Sequence, residues 1–193
     1  NNGTSAADVL DALEVATQAG IPSVVMTYWN PIEKYGVQEF AKAIAARGGS
    51  GVIHPDITIE ESTNWLAAAS ESKINPIYVV APSTSDERLA KVTTKAGGFI
   101  YAASIMGVTG ARTSVLSAAE DLVSRVRAVS DLPVAVGLGV STREQAKDLA
   151  RYADGVIVGS AFVKAILDAP NLEAGLSAVT ALARELSQGV RGQ

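Results

Sequence analysis

The chain alternates between short apolar runs and longer amphipathic stretches. The runs are rich in Val and Ile and nearly continuous, which is typical of parallel strands covered on both faces. They lie at Ser23–Trp29, Gly51–Pro55, Pro76–Pro82, Phe99–Ser104, Pro133–Gly139 and Gly155–Ser160. The pattern therefore predicts six strands separated by helices.

Polar signals predict where the helices begin and end. A first helix is expected from about Ser5 to Ala19 and a last one over Leu172–Ser187, with helix ends at Gly20 and Gly48. Ser or Thr stands three residues before Glu in three stretches, the spacing of a capping box. These stretches are Thr58–Glu61, Thr84–Glu87 and Ser141–Glu144.

Strict strand–helix alternation indicates a parallel sheet with right-handed crossovers. Two architectures fit, an open doubly wound sheet and a (β/α)8 barrel. A barrel needs eight strands, so in that case only strands 3–8 are represented. The 193 residues fit one domain, expected over residues 1–193.

Composition narrows the class of protein. Hydrophobic residues make up 48% and charged residues 19%, the formal net charge is −4 and there is no Cys. We expect no nucleic-acid partner, no disulfide and no cysteine–zinc site. No apolar stretch reaches the length of a membrane helix and no signal pattern opens the chain, so no membrane association is expected.

Glycine-bearing polar turns follow the last three predicted strands. They lie at Gly107–Gly110, Gly137–Thr142 and Val158–Phe162. In a barrel these turns open on the face that carries active sites, where backbone N–H groups and a helix N-terminus can bind an anion. The pattern favours a phosphate site.

At these residues the sequence resembles the alpha subunit of tryptophan synthase. The most specific stretch is GFIYAASIMGVTGAR, in which a tyrosine at a strand end precedes a loop with G-V-T-G. Further stretches share the resemblance over nearly the whole chain. They are YWNPIEKYG, PDITIEES, PIYVVAPSTSDERL, GLGVSTREQA and ADGVIVGSAFVK.

The resemblance implies a (β/α)8 barrel that cleaves indole-3-glycerol phosphate to indole and glyceraldehyde 3-phosphate. It implies a cytoplasmic heterotetramer with a beta subunit that holds pyridoxal phosphate (PLP), no cofactor in the chain itself and no metal. Alternatives are another phosphate-binding barrel, such as a phosphoribosyl isomerase, or a non-catalytic fragment that only binds the beta subunit.

The same resemblance assigns residues to roles. Asn30 and Pro31 match the part of the family that faces the beta subunit. Leu138 stands where the family usually has Phe, so the resemblance does not establish that an aromatic side chain packs on the substrate here. The substrate and phosphate positions are Tyr101, Thr109, Gly110, Leu138, Gly139, Gly159 and Ser160, with Thr109 as the latch of a closing loop.

No catalytic residue is assigned within the sequence. The resemblance places the family's catalytic Glu and Asp, and its first two strands, before Asn1. We expect that segment to be omitted or cleaved, although supply by another chain or a deliberate fragment also fits. Asp56 is expected to make structural or loop hydrogen bonds. His54, the single histidine, is expected to be packed rather than catalytic or metal-binding.

Overall fold

The structure is a computed structural model that describes residues 3–103, 112–137 and 139–192, without the side chains of residues 112–117. It divides into two compact units. The first contains the residues up to Val79 together with Glu87–Ile100, and the second contains Val80–Asp86 and the chain from Tyr101 onward. The single domain over residues 1–193 stays a prediction.

Helices and parallel strands alternate through the first part of the chain. β1 pairs in parallel with β2 in the register Val25 to Val52, and β2 pairs in parallel with β3 in the register Val52 to Pro76. The elements in order are α1 (Ala6–Gln18), β1 (Val25–Met26), α2 (Trp29–Tyr35), α3 (Val37–Ala46), β2 (Gly51–His54), α4 (Thr63–Ser72), β3 (Asn75–Val80) and α5 (Asp86–Thr93).

The same alternation continues through the second part. β5 and β6 pair in parallel. Helix α9 packs against both α7 and α8. The elements in order are β4 (Ile100–Ala103), α6 (Arg112–Arg127), β5 (Val134–Gly137), α7 (Arg143–Leu149), β6 (Gly155–Ile157), α8 (Ser160–Leu167) and α9 (Leu172–Val190).

Each unit has its own apolar core. In the first unit the side chains that close the core come from α1, α2, α3, α4 and the strands, and include Leu10, Ile32, Ile44, Val52 and Trp65. In the second unit the buried side chains include Leu122, Val126, Val134, Val136 and Leu149. All six predicted strands are present. Every residue of β2 is buried, whereas Met26 of β1 is exposed and β6 is half-buried along its length.

The helix starts are partly as predicted. Ser5 caps α1 in a reciprocal box with Asp8, as expected for the first helix. The Ser141–Glu144 prediction is off by one residue, because Thr142 caps α7 and Gln145 completes the box. Two other predicted boxes are wrong. The Thr58 hydroxyl donates a hydrogen bond to the Glu61 carboxylate, but α4 begins only at Thr63. The Thr84 hydroxyl accepts from the Ala81 N–H, and α5 begins only at Asp86.

The predicted strand over Ser23–Trp29 is too long, because β1 contains only Val25 and Met26 and a helix begins at Trp29. This helix, α2, was not predicted from the sequence. Pro31 occupies its third position, where a missing N–H leaves no intrahelical hydrogen bond unmade. The last predicted strand is also too long, since Ser160 already belongs to α8.

His54 is packed, as predicted. Its side chain is 1% exposed and its ring centroid lies 4.6 Å from that of Trp65, in an edge-on arrangement. Among the described residues no protein group hydrogen-bonds either ring nitrogen. Burial lowers the pKa of His54 to about 4, and the charge of Asp56 opposes that shift.

This burial predicts an acid-dependent loss of stability that comes from one residue. An unfolded histidine titrates near pH 6.5, so between about pH 6.5 and 4 the unfolded chain binds a proton that the folded chain refuses. The free energy of unfolding should therefore fall by about 3 kcal/mol as the pH drops through that range. Urea unfolding of the wild type and of His54→Phe at pH 7 and pH 4.5 measures the difference. Equal acid losses in both proteins would contradict it.

Candidate functional site

The register of β5 and β6 brings two of the predicted glycines to the same level. Gly137 pairs with Ile157, and both strands run in the same direction. Gly139 and Gly159 each follow two residues later, so the two turns leave neighbouring strands side by side. Both glycines are exposed, and Gly139 has a φ of 64°, which favours glycine.

Helix α8 begins directly at this pair of turns. Its N-cap is Gly159, which offers no side-chain acceptor to the N–H groups of the first turn. By contrast, α7 and α9 are capped by the side chains of Thr142 and Asn171. A helix N-terminus of this kind carries partial positive charge and free donors, and the Ser160 hydroxyl is exposed beside them. The arrangement can bind a phosphate group.

Tyr101 lies against the strand that leads into the first turn. A Cβ atom placed on Gly137 would lie 2.6 Å from Cε2 and 2.8 Å from Cζ of the Tyr101 ring. The ring therefore rests on the bare backbone of β5, two residues before Gly139. Partial burial raises the pKa of the Tyr101 hydroxyl, so it stays a neutral hydrogen-bonding group.

The second unit thus brings together four of the predicted substrate positions, Tyr101, Gly139, Gly159 and Ser160. The other three, Thr109, Gly110 and Leu138, lie outside the described residues, and their roles stay predictions. The part played by Gly137 is not among the sequence predictions. Its one signal is that it is a glycine inside a strand, which often marks a close approach of another group.

The two residues predicted to face a partner lie in the first unit. Asn30 and Pro31 are both exposed, in the first turn of α2. Asp56 makes the kind of hydrogen bond that was expected of it, since its carboxylate accepts from the Trp29 N–H. Among the described residues no group of three or more His, Cys, Asp or Glu side chains could hold a metal. No helix there is long and apolar enough to cross a membrane.

Comparison with known proteins identifies the family. Residues 1–191 match the family described as "Tryptophan synthase alpha chain". The chain belongs to this family. The alpha chain of Streptomyces coelicolor is 54% identical over 99% of this chain and 71% of its own length. The alpha chain of Mycobacterium marinum is 53% identical over 99% of this chain and 69% of its own length.

Solved structures agree with the family assignment. A crystal structure of tryptophan synthase from M. tuberculosis, an open form with BRD0059 bound, matches with a TM-score of 0.87 and 49% identity, over 98% of this chain and 70% of that one. A mutant alpha subunit from Pyrococcus furiosus matches with a TM-score of 0.83 and 31% identity, over 100% and 75%. The predicted fold, strands 3–8 of a (β/α)8 barrel, is confirmed, and the lyase family fits better than a phosphoribosyl isomerase.

The contact between Tyr101 and Gly137 predicts a steric defect with a defined remedy. Gly137→Ala should displace the ring and lower the free energy of unfolding by about 1–3 kcal/mol, the usual cost of an overpacked core. The double variant Gly137→Ala/Tyr101→Leu should regain part of that loss, because the smaller side chain makes room. Urea unfolding of the wild type, of both variants and of Tyr101→Leu alone gives the four free energies of a double-mutant cycle. If the two losses simply add, the contact is not the cause.

Proposed function

We propose that the chain binds indole-3-glycerol phosphate and takes part in its cleavage to indole and glyceraldehyde 3-phosphate, the lyase reaction of its family in tryptophan biosynthesis. The observation that carries this proposal is the pair of glycine turns at Gly139 and Gly159, set beside the start of α8. The family assignment supplies the substrate, and this geometry supplies a place for its phosphate.

The phosphate would be bound by the backbone N–H groups at Gly139, Gly159 and Ser160, with the Ser160 hydroxyl as a further donor. A glycine N-cap supports this role, because a side chain there would occupy the space that the anion needs. A Cβ atom added at Gly159 would meet no heavy atom within 4 Å, so the position opens onto free space. Gly110 is a further proposed phosphate position.

Tyr101 would form a wall of the substrate pocket, because its ring lies against Gly137, two residues before Gly139. Its aromatic ring is of a kind that packs well against an apolar group such as indole. Leu138 is proposed as a second wall residue. Thr109 is proposed to latch the loop that closes over the bound substrate and excludes water.

The cleavage breaks the bond between indole C3 and the glycerol chain. The adjacent hydroxyl loses its proton and becomes the aldehyde of glyceraldehyde 3-phosphate, while C3 of indole gains a proton. Both steps need an acid–base group. The resemblance assigns this chemistry to a Glu and an Asp of the family, and the residues proposed above would bind and orient the substrate.

We infer that the partner is the beta chain of tryptophan synthase, reached through Asn30 and Pro31, in a cytoplasmic heterotetramer. The beta chain would hold PLP and consume the indole, and this chain would need no cofactor of its own. Two exposed residues in the first turn of α2 support a contact there. We further propose that residues 1–193 belong to one barrel domain.

A bulky residue at the α8 N-cap should weaken substrate binding. In Gly159→Val the side chain would enter the open space proposed for the phosphate. We expect the KM for indole-3-glycerol phosphate to rise about tenfold in the full chain assayed with the beta chain, since about 1.4 kcal/mol of binding would be lost. Indole release measures it.

Two comparisons make this test specific. Gly175→Ala in α9 is the control, because its Cβ atom would meet only Ala169 and Ile166, at ordinary contact distances of 3.5 Å or more. The inhibition constant of glycerol 3-phosphate should rise in parallel with KM for Gly159→Val alone. An unchanged KM in Gly159→Val would disprove the phosphate site, and a wild-type complex that releases no indole would disprove the function.

A further inference from the structure

Helix α2 is capped by a carboxylate from a distant part of the chain. Both carboxylate oxygens of Asp56 lie 3.0 Å from the backbone nitrogen of Trp29, the first residue of α2. The helix's own N-cap residue, Tyr28, makes no side-chain hydrogen bond to it. Because a helix N-terminus carries partial positive charge, a carboxylate at this place stabilises the first turn.

A second contact holds the same residue from the side. The ring of Trp29 meets the ring of His54 edge-on, with centroids 6.3 Å apart. His54 in turn packs on Trp65, which is fully buried in α4. Since His54 ends β2 and Asp56 follows two residues later, one strand end fixes both the backbone and the side chain of Trp29.

The two exposed residues of the first turn lie between fixed points. Asn30 and Pro31 follow Trp29, and Ile32 comes next with its side chain 0% exposed. The helix has only 7 residues, too few to be stable through its own hydrogen bonds. The place of Asn30 and Pro31 on the surface therefore depends on the anchors at Trp29 and Ile32.

We propose that Asp56 is a positioning residue for partner binding, because its carboxylate holds the turn of α2 that presents Asn30 and Pro31 to the beta chain. His54 supports the same turn through the ring of Trp29. This inference rests on the proposed function, which supplies the partner. Asn30 is the residue that this turn can offer as both donor and acceptor to a polar group of the partner.

The test measures the affinity of the full chain for the purified beta chain, with its PLP bound, by isothermal titration calorimetry. Asp56→Ala should raise the Kd about fivefold, since the binding-competent turn becomes a minor population when its cap is lost. Asp56→Asn keeps an acceptor for the Trp29 N–H and should stay within about twofold of the wild type. Asn171→Ala, which removes the N-cap acceptor of α9, is the control and should leave the Kd unchanged.

Two further readouts separate positioning from a general loss of structure. With the beta chain saturating, the KM of Asp56→Ala for indole-3-glycerol phosphate should stay within about twofold of the wild type, because the residue acts through the partner face. In a double-mutant cycle, Asp56→Ala should add little to Asn30→Ala, because both remove the same contact.

Each outcome has a defined meaning. An unchanged Kd in Asp56→Ala, or an equal rise in Asn171→Ala, overturns the proposal. If Asp56→Ala does not fold, Asn30→Ala decides: a rise in Kd supports the proposal and an unchanged Kd overturns it. A wild-type complex that binds but releases no indole counts against the lyase function and leaves the positioning role standing.

Discussion

Parallel hydrogen bonding between β5 and β6 is the constraint on which the candidate site depends. With Gly137 opposite Ile157, the residues that follow each strand must leave the sheet together. A shift of one residue would turn the side chains of a strand to its other face and separate the two glycine turns. The proposed phosphate site therefore relies largely on backbone groups, whose positions the pairing of β5 with β6 determines.

Strand burial explains why so much of this arrangement could be predicted from sequence. A strand such as Val134–Gly137, with Val134 and Val136 buried, has a continuous apolar sequence that few other structures require. Gly137 and Gly139 at the end of this strand are a recognisable signal, because closely spaced glycines usually mark a turn. Four of the seven substrate positions predicted from the resemblance lie in one unit of the structure, and their roles stay predictions.

Other features depended on contacts between residues far apart in the chain. Helix α2 begins at Trp29 because Asp56 caps it, and no local signal announces a cap supplied from 27 residues away. The apolar run Ser23–Trp29 therefore predicts a longer strand than exists. Two of the three predicted capping boxes are wrong for a local reason. Ser and Thr bond to whichever neighbour the local turn offers, so the spacing alone does not tell a helix start from an isolated turn.

The place where Tyr101 rests on Gly137 has a consequence for how this protein can change over time. The aromatic ring of Tyr101 fits only because Gly137 lacks a side chain, so the residue types at the two positions depend on each other. A larger residue on the strand becomes acceptable only after the ring has shrunk, and the order of the two changes matters.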